Sequence, residues 1–314
     1  MKTILTLSLI GLLLAACGGA ATGPRALKAG EKPVVIASTL HLGCLAAIVG
    51  GDDAKVELLA KEGADPHGYD PTIEDRRRLE SAHLLVVNGL NLETFDAGKI
   101  AAASAITLVD CSKDIPEKFL IEAAEDEHAD HGHGHSHGHD HGHEAHDPHV
   151  WLSAEGAAYQ AAAIAAALGK LDAAHAKGYS DRAEELKKRL FAIRDEFKPK
   201  LEKIANKKFA TDHDAFAYFA REAGLGEASF LRKVPARSVS VDERRKLEQE
   251  LKAAGARAIF VEPGHDSDAA KEVAASLKIK LATLDPFEMG KLEPKSFEEN
   301  YRRNLQTVLD ALGE

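Results

Sequence analysis

The chain carries 16 histidines, and they sit in two different kinds of setting. His128, His131, His133, His135, His137, His139, His141, His143 and His146 alternate with Gly, Asp, Ser, Glu and Ala. Imidazoles spaced this way on a chain with no apolar face make a weak, multidentate collector of metal ions, mostly neutral near pH 7. The composition then changes at Asp147-Pro148-His149-Val150-Trp151-Leu152, where a histidine stands among apolar neighbours and the single Trp. Three further histidines sit beside carboxylates and turn formers, in Ala64-Asp65-Pro66-His67, Asp212-His213-Asp214 and Pro263-Gly264-His265-Asp266. Imidazole nitrogens joined by a carboxylate suit a transition metal, and several histidines favour Zn2+ over the harder Mn2+. A single histidine is more often a surface or hydrogen-bonded residue, so the case rests on where these segments fall in the fold.

Apolar runs at 33–38, 55–60, 84–88 and 106–111 read as strands, with helices between them at 42–49 and 72–82 and a further one ahead of the last strand. Low-complexity sequence interrupts the pattern, because glycine alternating with histidine has a large ordering entropy and nothing to bury. A helix resumes at Ala154 behind Ser153. Leu186, Leu190, Ile193, Phe197, Leu201 and Ile204, in steps of four and three, then mark one long amphipathic helix containing Pro199. Strands at 208–211, 257–262 and 280–284 follow, with helices at 214–223, 268–277 and 296–312. Ser240-Val241-Asp242-Glu243 fits a capping box opening another helix that runs to Ala254. Short apolar strands separated by helices predict parallel sheets covered on both faces. The expected fold is α/β, with two lobes, each a parallel sheet flanked by helices, joined by one long rigid linker helix. The expected divisions are a leader at 1–17, a flexible tether at 18–32, an N-terminal lobe at 33–178 containing a mobile histidine-rich loop at 126–146, the linker helix at 179–206 and a C-terminal lobe at 207–314. Ligands of open α/β sheets bind beyond the carboxyl ends of the strands. The loops after 55–60, 208–211 and 257–262 are the ones that carry His67, His213, and His265 with Asp266.

The N-terminus reads MKTILTLSLIGLLLAAC, a positive residue followed by an apolar stretch too short to span a bilayer comfortably. Small residues directly before Cys17 resemble a bacterial lipobox, which implies lipidation of Cys17, export and a membrane anchor confined to the start of the chain. Cys44 and Cys111 are either a disulfide pair or buried thiols. The formal charge of -10, without clusters of Lys or Arg interleaved with aromatics, argues against nucleic acid as a partner and for attraction of a soluble cation.

Taken together, these motifs resemble the solute-binding proteins of zinc and manganese ABC importers over nearly the whole mature chain. The resembling segments are Gly63-Ala64-Asp65-Pro66-His67-Gly68-Tyr69-Asp70-Pro71, Leu85-Val86-Val87-Asn88-Gly89, Asp147 to Leu152, Asp212-His213-Asp214-Ala215-Phe216 with Tyr218-Phe219, and Phe260-Val261-Glu262 through Asp266. The resemblance implies a metal held by His67 and His149 from the N-terminal lobe and His213 and Asp266 from the C-terminal lobe, with Glu262 and His265 competing for the fourth place. It also implies an ABC permease as partner, a monomer, no enzymatic activity, and metal entry by modest movement about a rigid helix. His41 departs from the aromatic expected in its loop; it follows the first strand, within reach of the cleft, although a surface position is the commoner one. Asp65, Asp147 and Asp214 either orient ligand rings or cap turns. A zinc hydrolase lacks support, since there is no His-Glu-x-x-His motif. A cell-surface zinc store, sensor or adhesin built on the histidine-rich run is the remaining alternative.

Overall fold

The structure, a computed structural model, describes residues 23–60, 63–123, 146–211, 214–225, 229–230, 240–264 and 267–313. Cys17, the histidines from His128 to His143, His213, His265 and Asp266 lie outside the described residues. In chain order the elements are β1 (Val34–Ala37), α1 (Leu40–Gly50), β2 (Lys55–Leu58), α2 (Ile73–Leu79), β3 (Leu84–Val87), α3 (Ala97–Ser104), β4 (Thr107–Asp110), α4 (Ala154–Leu171), α5 (Ala176–Leu201), β5 (Phe209–Thr211), α6 (Ala217–Glu222), β6 (Ser229–Phe230), α7 (Val241–Ala254), β7 (Ala258–Val261), α8 (Asp268–Leu277), β8 (Lys280–Thr283) and α9 (Pro294–Leu312).

The strands form two parallel four-stranded sheets, β2-β1-β3-β4 and β6-β5-β7-β8. The two orders are the same when each lobe is numbered from its own first strand, so the lobes repeat one topology without a close sequence repeat. Each sheet reverses its winding between its first and third strands, the place where an open α/β sheet leaves a crevice. β3 is buried along its whole length, as a strand covered on both faces must be. β6 answers to no sequence expectation; its two residues pair with Ala210 and Thr211.

Capping explains several boundaries. Thr72 and Asp75 form a capping box at the start of α2, Ser240 and Glu243 form another at α7, and Ser153 accepts from the Gly156 N–H at α4. α1 begins at Leu40, earlier than its periodicity suggests, and its run Leu-His-Leu-Gly-Cys-Leu-Ala-Ala-Ile-Val is buried on nearly every side. α4 is rich in alanine, which lets it lie close against α5; a Cβ built on Gly169 would come within 3.2 Å of Ala176. On α5 the buried face is Tyr179, Ala183, Leu186, Leu190, Ile193, Phe197 and Leu201. Pro199 falls in its last turn, and the helix stops two residues later. Cys44 and Cys111 are both buried free thiols, not a disulfide. At the N-terminal end, the Arg25 N–H donates to the Ala105 carbonyl at 2.7 Å, which ties that segment to the end of α3.

One continuous apolar core joins the lobes. It runs from Val35 and Leu42 through Trp151, Leu186 and Leu190 to Phe209, Phe260, Leu305 and Leu312. α1 of the N-terminal side packs on α9 of the C-terminal side, and α5 touches both. Glu222 at the end of α6 accepts from the Ala154 N–H at 2.8 Å, so a carboxylate of one lobe caps a helix that follows the other lobe's sheet. This architecture predicts a single cooperative unfolding transition. Leu190→Ala, at a position with no exposure, should cost about 2–5 kcal/mol and shift that one transition in calorimetry; two separate transitions would show that the lobes fold independently.

Candidate metal site

The loops beyond the carboxyl ends of the strands bring together three ligand-type side chains: His67 after β2, His149 before α4, and Glu288 after β8. Each is aimed by local backbone chemistry. The Asp65 carboxylate accepts from the His67 N–H at 2.8 Å, and Pro66 opens the short 3-10 turn that presents the ring. Asp147 accepts from both the backbone N–H and Nδ1–H of His149, at 2.8 and 2.7 Å. That bond keeps a proton on Nδ1, so Nε2, on the cleft side, is the nitrogen that takes up or gives up a proton and that would face a metal. Pro148 is held by Asn88, whose Nδ2 donates to its carbonyl at 3.0 Å, and the Tyr218 hydroxyl donates to the Asp147 carbonyl at 3.0 Å. Asp65 and Asp147 therefore both cap turns, and Asp147 also orients its histidine.

Glu288 comes from a loop tied down by α9. Asn300 and Asn304 each donate to the Asp285 carbonyl at 2.9 Å, and the Asp285 carboxylate accepts from the Phe287 N–H at 2.8 Å. Phe287 adopts φ of +61°, the left-handed region, which costs a non-glycine residue about 1–2 kcal/mol. Burial of its ring edge-on to Phe297 at 5.4 Å offsets that strain and turns Glu288 into the cleft.

His67 Nε2 lies 3.1 Å from Glu288 Oε1 and 3.4 Å from His149 Nε2, and the third side of the triangle is 3.5 Å. Tetrahedral zinc with bonds of about 2.0–2.1 Å has edges of about 3.3 Å, so these atoms form one face of a zinc-sized tetrahedron. An octahedral ion with bonds of about 2.1 Å has cis edges of about 3 Å. The three sides, 3.1, 3.4 and 3.5 Å, lie close to both values. The His149 side chain is 4% exposed, Glu288 8% and His67 30%, which places the opening of the site on the His67 side.

Burial works against a charged His149, but its hydrogen bonds to Asp147 and Glu288 outweigh burial and lift its pKa well above the ordinary histidine range. Burial likewise works against the Glu288 carboxylate, and the hydrogen bonds from His149 and His67 outweigh it, holding the group well below the usual carboxylate range. Without a cation, a proton on His149 supplies the positive charge that the cleft needs.

Glu262, at the end of β7, is 5% exposed and does not belong to the three-atom cluster. His41 is fully buried, which corrects the surface position expected for it. Its ring stacks on Trp151 with centroids 3.8 Å apart and planes 8° apart, Nε2–H donates to Asn88 Oδ1 at 3.2 Å, and burial pushes its pKa down to about 3. His146, the described member of the histidine-rich run, bridges to Glu122 in antiparallel fashion and places Nε2 3.2 Å from Glu117. Glu288 was not anticipated. The available signal was its position in Asp285-Pro286-Phe287-Glu288-Met289-Gly290, the loop directly after a predicted strand.

Two parallel-sheet lobes thus have loops that converge on one largely buried donor set, and comparison with known proteins places the chain among solute-binding proteins. The chain belongs to the family of the zinc-uptake complex component A, periplasmic, whose model matches residues 35–311. This is a family of extracytoplasmic solute-binding proteins of metal ABC transporters, not of enzymes. The chain is 30% identical over 303 residues to the high-affinity zinc uptake system protein ZnuA of Bacillus subtilis, covering 96% of this chain and 93% of that one. It is 27% identical over 318 residues to the manganese ABC transporter substrate-binding lipoprotein PsaA of Streptococcus pneumoniae, covering 99% and 98%. Among solved structures, the solute-binding protein FpvC of Pseudomonas aeruginosa in complex with Mn2+ superposes with a TM-score of 0.75 at 27% identity, covering 90% of this chain and 99% of that one.

Two outcomes follow from the geometry. Asp147→Asn should weaken metal binding by about 10–100-fold while the protein stays folded, as loss of a ring-orienting acceptor does; chelator competition and circular dichroism measure the two effects. A metal that enters must displace the His149 proton, so about one proton should leave per ion between pH 6 and 8, and the apparent Kd should rise about tenfold for each unit of pH lowered. Calorimetry in two buffers of different ionisation enthalpy counts the protons; a count of zero would contradict the protonated cleft.

Proposed function

We propose that the chain captures Zn2+ in the cleft between its lobes, outside the cytoplasm, and delivers it to an ABC importer. The observation that carries this reading is the triangle of His67, His149 and Glu288, whose atoms come from both lobes to within 3.5 Å of one another. Zn2+ is preferred to Mn2+ because two donors are imidazoles, and the sequence adds His213, at the carboxyl end of β5, as a third. Glu288 is preferred to Asp266, Glu262 or His265 as the carboxylate or fourth donor, because its oxygen already lies within 3.5 Å of both histidine nitrogens. A saturated, partly buried donor set suits a carrier that releases a whole ion, whereas catalytic zinc keeps a position open for water.

The proposed assembly has a lipid anchor at Cys17 and works as a monomer. No helix among the described residues is long and apolar enough to cross a membrane. The continuous core supports a rigid linker, so that entry and release involve local opening at the His67 side rather than wide closure of the lobes. The run from His128 to His146, which precedes the second-ligand segment in the sequence, acts as an accessory collector.

The test is a zinc titration against a competing chelator, with soluble protein beginning after Cys17. Three forms are compared: intact, lacking 126–145, and His149→Ala. One tight equivalent should survive the deletion and weaken by about 100-fold or more in His149→Ala. If tight binding vanishes with the run and persists in His149→Ala, the protein is a store or sensor built on the histidine-rich segment.

A further inference from the structure

We propose that Trp151 is a positioning residue that sets the separation of His149 and Glu288, and through it the preference of the cleft for a tetrahedral cation over an octahedral one. The inference rests on the reading of those two side chains as ligands. Trp151 follows His149 by two residues and is 2% exposed. Its indole N–H donates to the Pro286 carbonyl at 2.8 Å, two residues before Glu288. A single bond thus ties the backbone of one ligand segment to the side chain carried by the other, across the cleft.

Neither end of this tie can slide. On the N-terminal side one face of the indole is covered by His41, stacked at 3.8 Å. His41 is fixed by Asn88, and Asn88 also donates to the Pro148 carbonyl. Asn88 itself is held by Gln160, which donates to Asn88 Oδ1 at 2.7 Å. Asn88 thus holds the residue before His149, and the Trp151 ring lies 5.2 Å from the His149 ring. On the C-terminal side the Pro286 peptide follows Asp285, whose carbonyl takes the two asparagine bonds from α9. Trp151 and His41 are not in the donor cluster, so altering either changes the spacing of the donors and not their number.

The share of bonds that the protein supplies is what separates the two kinds of ion here. Four-coordinate zinc takes its few short bonds from the protein and loses most when a donor is free to shift, whereas an ion that prefers six oxygen-rich ligands replaces a displaced donor with water. Loosening the tie should therefore harm zinc more than manganese.

The experiment compares dissociation constants for zinc alone and manganese alone in the wild type, Trp151→Phe and His149→Ala. Phenylalanine keeps an aromatic face for His41 and lacks the N–H. Trp151→Phe should weaken zinc by about tenfold, mainly through faster release, while manganese changes by less than about threefold. Unchanged zinc binding in Trp151→Phe, or equal losses for both metals, overturns the proposal. His149→Ala separates the two levels of the argument: if it loses tight zinc while Trp151→Phe does not, the ligand reading stands and the positioning role fails. If His149→Ala keeps tight zinc, the ligand reading itself fails. Should Trp151→Phe not fold, the single tryptophan gives one indole N–H resonance in the native protein. Slow hydrogen exchange at that resonance, slower still with zinc, supports the tie, and exchange as fast as in free indole overturns it.

Discussion

A carboxylate oxygen 3.1 Å from one imidazole nitrogen and 3.5 Å from another, in a largely buried cleft, requires a positive charge among the three. In water such a charge would be cheap, but a buried carboxylate without a partner is costly enough to open the cleft or to take up a proton. Hydrogen bonds to Asp147 and Glu288 raise the His149 pKa and so favour a proton there; in the proposed function that proton is exchanged for a metal ion. The loops, the caps and the shared core all hold the donors close enough for that exchange to be tight. The same electrostatics links capture to pH, since every ion that binds must evict a proton.

Holding three donors from two lobes at fixed separations is a problem of rigidity, and the fold solves it by sharing one core. Two lobes of identical strand order would ordinarily move relative to each other across a modest interface. Here α1, α4, α5 and α9 are packed into a single apolar cluster, and Glu222 of one lobe caps a helix of the other. In the proposed function, motion on binding is confined to the strand-end loops. His67, the most exposed of the three donors, sits on a short turn held by Asp65 and Pro66. In the proposed function the ion enters at this loop without separating the lobes.

Much of this was legible in the sequence, and the parts that were not have identifiable causes. Strand periodicity and the strand-end rule located His67, and the composition change at Asp147 singled out His149, because histidine beside Asp-Pro in a turn is a dense signal. Glu288 gave no such signal among 50 acidic residues, and the resemblance drew attention to 262–266 instead. Applying the strand-end rule to the loop after β8 would have reached it. His41 was misplaced because polarity argued for the surface, while the uniformly apolar α1 around it argued for burial; the helix begins early enough to carry the ring inside. β6 is two residues long and is specified by pairing with β5, which no local pattern reveals. The state of Cys44 and Cys111 depends on three-dimensional separation, which spacing along the chain does not encode.

In the proposed function one ion binds to His67, His149 and Glu288 together. Diffraction from crystals of the zinc-loaded protein, with data collected on both sides of the zinc absorption edge, tests it directly. The account predicts one strong anomalous peak within about 2.0–2.2 Å of both imidazole Nε2 atoms and a Glu288 oxygen. A peak bonded elsewhere, with Glu288 turned away from it, would contradict the account.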